Sequence, residues 1–359
     1  MSRFLSRRFL GLEEYVPGEQ PRDQQYIKLN TNESPYPPSP GVLEAVNAAQ
    51  VSKLNLYPDP DAAELTAALA AHYGVEPGCV FLSNGSDDIL NFCFMAFCGS
   101  GAVFPEVTYG FYQVYAALHG VSWETPPLNP DFSIRPSDYC GVGKTVVLAN
   151  PNAQTGLALP LSEIERIVRS NPEHVVVIDE ADVDFGAESA VPLTRRYENL
   201  LVVQTFSKSR SMAGARLGYA IGQKDLIADL NKLKYATNPY NLNRLTQLAG
   251  TAAIRDQAYY AENCRRIQET RARTRQALLD LGFSCTDSRA NFLLAASPAI
   301  PGAVLYRRLK AAGILVRHFP DPRIERWVRI TIGTPEQMGA LLAAIRQLLN
   351  ERTINHENQ

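Results

Sequence analysis

Thr205-Phe-Ser-Lys-Ser-Arg-Ser-Met-Ala-Gly-Ala-Arg216, entered from the apolar stretch Leu200-Leu-Val-Val203, decides how this chain is read. Four consecutive apolar residues fit a strand buried on both faces of a parallel sheet. Lys208 then stands just beyond the strand, with the hydroxyls of Thr205 and Ser207 before it and Arg216 eight residues on. An amine in that position can condense with an aldehyde, while hydroxyl donors and a fixed guanidinium can hold a phosphate. Ordinary solvated surface also carries a lysine and an arginine near a strand end, so the run needs partners elsewhere.

Outward from it, compact apolar runs alternate with helical periodicity from about residue 61 to 235, the mark of βαβ units and a largely parallel sheet. Strands are expected at 80–83, 102–104, 145–149, 175–179 and 200–205, and helices at 62–73, 86–97, 110–118 and 162–170. A long helical stretch over 242–281 leads into a smaller α+β pattern. Its strands are expected at 291–295, 314–318 and 327–332, and its helices at 304–312 and 335–349. The expected organisation is an N-terminal segment (1–35), a large α/β domain (36–250) and a small domain (251–359). The Pro-rich run Ser34-Pro-Tyr-Pro-Pro-Ser-Pro40 reads as an ordered connection without regular structure.

The 359 residues are 45% hydrophobic and 20% charged, which suits a globular chain with a substantial core. A formal net charge of -2 offers no general attraction for nucleic acid or an anionic membrane, so small molecules are the expected partners. No apolar run approaches the roughly 20 residues that span a bilayer. The six cysteines form no CxxC or Cys/His cluster and read as free buried thiols, with no metal expected. The basic start, Met1-Ser-Arg-Phe-Leu-Ser-Arg-Arg-Phe-Leu10, is short and lacks a cleavage-like site. It reads as a short surface helix, which leaves a cytoplasmic location as the default.

Ligands of parallel sheets bind beyond the C-terminal strand ends, and here those ends are polar. Asn84-Gly-Ser-Asp-Asp88 opens a helix whose free N–H groups would hold a phosphate, although a plain helix cap explains the same residues. Asp179 ends the most apolar strand, where a protonated pyridine nitrogen would partner its carboxylate; an ion pair with an arginine would serve as well. Tyr109 opens another helix, placed to stack on a flat heteroaromatic ring or simply to pack. Arg317 and Arg329 lie on successive small-domain strands and suit a carboxylate or phosphate clamp. Taken together, the groups point to pyridoxal 5'-phosphate.

With these residues in view the chain resembles the fold type I pyridoxal-phosphate enzymes, and among them the histidinol-phosphate aminotransferases. The resemblance runs from about Tyr26 to Leu349. It is carried by Leu29-Asn-Thr-Asn-Glu-Ser-Pro-Tyr36, Leu56-Tyr-Pro-Asp-Pro60, Asn84-Gly-Ser-Asp-Asp88, Asp179-Glu-Ala181, Thr205-Phe-Ser-Lys-Ser209 with Arg216, Asn291-Phe292 and Val328-Arg-Ile-Thr-Ile-Gly333. It implies transamination between histidinol phosphate and 2-oxoglutarate, with Lys208 as both Schiff-base lysine and proton carrier. Asp179 would partner the pyridine nitrogen and Tyr109 would stack on the ring. Ser86, Asp87, Thr205, Ser207 and Arg216 would surround the phosphate, and Tyr57 would reach it from the second subunit of a homodimer. Arg317 and Arg329 would take the substrate's acidic end, with Asn32 and Tyr36 closing the site.

Two positions depart from the family pattern around the cofactor's phenolic oxygen. Ala153, in Asn150-Pro-Asn-Ala-Gln-Thr-Gly156, stands where many relatives carry an amide, which leaves Asn152 as the expected substitute. Asp182 stands where the family has a tyrosine. A phosphothreonine decarboxylase-like lyase, an aromatic aminotransferase and a cofactor-binding protein with impaired turnover are the competing readings.

Overall fold

The computed structural model describes residues 2–357; Met1, at the head of the basic run, and the last two residues of the expected small domain lie outside it. A seven-stranded sheet runs in the order Val80–Ser83, Gly218–Ile221, Leu200–Thr205, Val176–Asp179, Thr145–Ala149, Ala102–Val103, Trp123–Glu124. All neighbours are parallel except Gly218–Ile221, which runs against both of its own. Burial on both faces explains the unbroken apolar runs. Val176 and Ile178 join the core on one face, while Val177 joins the core on the other.

Helices Ala63–Tyr73, Ser86–Phe97, Phe111–His119, Leu161–Ser170 and Lys224–Thr237 flank this sheet. The helical stretch expected over 242–281 is two helices, Arg244–Arg255 and Gln257–Asp280, separated at Asp256. Helical periodicity continues across that break, so the sequence does not reveal it. The Pro-rich connection also gives way sooner than expected, because Pro40 begins a helix, Pro40–Ala45, in the position where proline costs no hydrogen bond. The N-terminal surface helix is reduced to a single 3-10 turn, Arg7–Phe9, with no buried residue to anchor anything longer.

A second, antiparallel sheet runs Arg317–His318, Val328–Thr331, Phe292–Ala296, Ser284–Cys285, covered by Gly302–Ala311 and Pro335–Glu357. The run expected as one strand over 314–318 serves two sheets. Ile314–Leu315 pairs in parallel with Ile27–Lys28 and so ties down the N-terminal segment, whereas Arg317–His318 pairs with Val328–Thr331. All six cysteines are free, three buried and three half-buried. No described helix is long and apolar enough to cross a membrane.

Candidate active site

The C-terminal ends of the parallel strands open into a cavity of about 440 Å³ between the two sheets. Register brings the polar strand ends together: Ala149 is level with Asp179, Asp179 with Val203, and Gly218 lies between Ser83 and Thr205. Of the expected site residues, Asn32, Ser86, Asp87, Tyr109, Asp179, Asp182, Thr205, Ser207, Lys208, Arg216, Arg317 and Arg329 line this one cavity.

Lys208 Nζ donates to the carbonyl of Thr31 at 3.2 Å. Burial lowers its pKa; Asp182 opposes that shift and Arg329 adds to it. Thr205 Oγ1 bonds Ser207 Oγ at 3.0 Å and accepts from the Ser207 N–H, so the turn into Lys208 is braced by its own hydroxyls.

Helix Ser86–Phe97 begins at Gly85 without a side-chain cap, which leaves its first N–H groups free to face an anion. The plain-cap reading is therefore not what the structure holds at Gly85. Arg216, in left-handed backbone (φ 54°), aims its guanidinium at the same point and donates to Asp87 Oδ2 at 3.0 Å. Tyr109 donates to the other oxygen of Asp87 at 2.6 Å. The Asp87 carboxylate thus orients Tyr109 and Arg216, and only its N–H is suited to a phosphate. Close approach is built in, since a Cβ on Gly218 would lie 2.4 Å from Ser86 N and one on Gly85 2.8 Å from Arg216 Nη2.

Asp179 accepts from the Tyr112 hydroxyl at 2.8 Å through Oδ2, while Oδ1 is buried with no partner. Burial pushes its pKa up to about 7 against the pull of the Tyr112 bond. Asp182 Oδ1 is also buried and unpartnered. Burial raises that carboxyl too, with Lys208 and Arg329 acting in the other direction.

Arg317 and Arg329 are directly opposite one another on antiparallel strands. Like charges so placed are unfavourable in a sheet unless an anion is to lie between them. Arg317 donates to the carbonyls of Pro17 (2.9 Å) and Val16 (2.8 Å). Arg329 donates to the carbonyl of Ala153 (2.9 Å) and to Gln154 Oε1 (3.2 Å), and burial lowers its pKa to about 10. Asn32 is held in left-handed backbone by Thr331, whose hydroxyl bonds both its N–H and its side chain.

Three expected residues lie outside the cavity. Asn152 is engaged away from the cavity: its Nδ2 donates to Val107 O, in the segment before Tyr109, and its Oδ1 accepts from the N–H groups of Gln154 and Thr155 in its own loop. Tyr36 packs against the core of the second sheet, with Arg266 over its ring at 5.8 Å. Tyr57 is 79% exposed and stacks on Tyr240, away from its own chain's cavity.

Several lining residues escaped the sequence reading. Tyr15 carries no local signal, whereas Thr31 sits inside the quoted run Leu29–Tyr36. Gln154 sits inside the quoted loop, and Phe319 is two residues after Arg317, on the side-chain period of a strand. Tyr112 does not line the cavity but donates to Asp179 from behind it, and its place one helical turn after Tyr109 makes it legible by spacing. A larger depression of about 740 Å³ lies elsewhere, near Arg195, Arg196 and Lys224. Those cations are engaged by the Tyr73 and Gly74 carbonyls, Glu165 and Glu76 respectively.

Residues 24–345 match the family described as aminotransferase class I and II. The chain belongs to that family. A histidinol-phosphate aminotransferase of Aromatoleum aromaticum is 49% identical over 355 residues, covering 97% of this chain and 100% of the relative. One of Brachyspira hyodysenteriae is 46% identical over 352 residues, covering 97% and 99%. Among solved structures, the histidinol-phosphate aminotransferase of Sinorhizobium meliloti in complex with pyridoxal-5'-phosphate has a TM-score of 0.85 at 25% identity, covering 97% of this chain and 100% of that one.

Proposed function

We propose that this family member is a pyridoxal 5'-phosphate-dependent aminotransferase whose amino donor is histidinol phosphate and whose acceptor is 2-oxoglutarate. The observation that carries the cofactor is the buried, unpartnered Oδ1 of Asp179 in the same cavity as Lys208 and an uncapped helix start. These supply matching partners for a ring N–H, an aldehyde and a phosphate. The substrate reading is supported by the two facing arginines and by the names of the relatives.

When bound, pyridoxal phosphate supplies an electron-poor ring that stabilises the electron pair left when the substrate Cα–H bond breaks. Asp179 would hold the proton on the ring nitrogen. Arg216, the Ser86 and Asp87 N–H groups, and the hydroxyls of Thr205 and Ser207 would hold the phosphate, and Tyr109, tied to Asp87, would pack beside the ring. Lys208 would hold the aldehyde, and its Nζ would take the substrate's Cα proton. Burial lowers the pKa of Lys208 and so favours the neutral form this task needs. Arg317 and Arg329 bind the substrate's acidic group, and Asn32 holds the rim.

On this reading residues 1–35, 36–250 and 251–359 act as rim segment, cofactor domain and small domain of a cytoplasmic homodimer. Tyr57 reaches the other subunit's site, and Tyr36 supports the rim from behind. The exposure of Tyr57, and of Leu43 and Leu56 near it in sequence, supports that pairing. A second reading, a cofactor-binding protein with impaired turnover, is favoured by Asp182, whose carboxylate cannot donate a hydrogen bond when ionised.

The test is a spectrophotometric half-reaction of holoprotein with histidinol phosphate, phenylalanine and phosphothreonine. Conversion of the cofactor band by histidinol phosphate alone, without CO2 release, is expected. Conversion by phenylalanine alone would overturn the substrate, CO2 release would favour a lyase, and no conversion by any amine would favour impaired turnover.

A further inference from the structure

We propose that Gln154 positions Arg329 for anion recognition and does so with a neutral acceptor, so that the guanidinium keeps its full charge for the substrate. The inference rests on the reading of Arg329 as a substrate anion receptor.

Gln154 is buried and lines the cavity. Its Nε2 donates to the carbonyl of Thr108 at 3.2 Å, and its Oε1 accepts from Arg329 Nη1 at 3.2 Å. Because Thr108 offers only an acceptor and Arg329 only donors, the orientation of the amide is settled by chemistry. The side chain therefore joins the loop that carries Tyr109, beyond the seven-stranded sheet, to a strand of the second sheet. Arg329 donates its other bond to the Ala153 carbonyl, and its Nε is buried with no partner. Phe292 and Phe319 lie against its guanidinium at 5.2 and 5.3 Å. Among the described residues its hydrogen-bond acceptors are both neutral, and it makes no ion pair.

A neutral acceptor fixes a guanidinium's direction without competing for its charge. A carboxylate in the same place would still accept from the guanidinium, but it would give up the bond to Thr108 O and would form a buried ion pair, which an incoming anion would have to break. Both Gln154→Leu and Gln154→Glu lose the bond to Thr108 O, but only the Glu variant keeps an acceptor for Arg329 and adds a charge, so the difference between the two reports the charge.

The experiment measures binding of succinate, a dicarboxylate with no amino or oxo group to react, to holoprotein at pH 8, together with KM and kcat for the amino donor. Gln154→Leu is expected to weaken succinate about tenfold, the scale of one hydrogen bond to a charged group. Gln154→Glu is expected to weaken it about 100-fold, with KM rising more than kcat falls. If Gln154 only fills space or braces the loop, the near-isosteric Glu variant binds succinate better than the Leu variant, and the proposal is overturned. Equal binding by both variants and the parent overturns it as well. Arg329→Met separates the two levels. If it leaves succinate binding unchanged, the role of Arg329 itself falls; if it weakens binding, the neutral Gln154→Leu added to it should have no further effect, and a further loss would detach Gln154 from Arg329.

Discussion

Asp179 should make the cofactor-free protein less stable as pH rises, and Asp179→Asn should remove that dependence. Burial lifts this carboxyl from 3.8 to about 7. The folded chain therefore holds the proton more firmly than the unfolded chain. The stability this proton confers is complete below pH 3.8, is lost as pH rises towards about 7, and changes little beyond. An interval of about 3 pH units at about 1.4 kcal/mol each makes the full loss about 4 kcal/mol. Roughly 1.6 kcal/mol of it has gone by pH 5. Asparagine keeps an acceptor for the Tyr112 hydroxyl but has no charge to bury. Urea unfolding of the cofactor-free parent and variant at pH 5, 6, 7 and 8 should show the advantage of the variant growing by about 2 kcal/mol and then levelling off. With cofactor bound, a ring N–H at Oδ1 should remove Asp179's share of the parent's pH dependence, while buried Glu180, also raised to about 7, keeps its own. A constant difference between parent and variant across this range would refute the assignment of the shift to buried Asp179.

Gly218→Ala should cost about 1–3 kcal/mol and weaken pyridoxal phosphate binding at least about tenfold, because the new Cβ meets backbone at Ser86 N and Gly85 C. Urea midpoints and cofactor titration check this, and unchanged values in both would show that the helix start moves freely. In Asp182→Tyr the visible absorbance of the bound cofactor should titrate at lower pH than in the parent, since a phenol donates to the ring oxygen where an ionised carboxylate does not. Superimposable curves would deny Asp182 any role at that oxygen.

Much of the sheet was legible because its strands are buried on both faces: Val80–Ser83, Thr145–Ala149 and Leu200–Thr205 have the bounds expected of their apolar runs. Strand ends were legible for the same reason, since a lone carboxylate such as Asp179 or an amine such as Lys208 stands out where an apolar run stops. The antiparallel strand Gly218–Ile221 was missed. Four residues beginning with glycine make no pattern, and what forms the strand is the pair of neighbours that it bridges.

By itself, then, the sequence determined the α/β class, the polar strand ends and the residue types able to hold a phosphorylated aldehyde, because periodicity and burial are local properties. Only the tertiary structure decided which of those groups meet. It tied Asn152 to the Val107 carbonyl, set Gln154 against Arg329, and hung Val16 and Pro17 on Arg317 some 300 residues away. A hydrogen bond depends on where two atoms lie in space, and no spacing along the chain encodes a partner that distant.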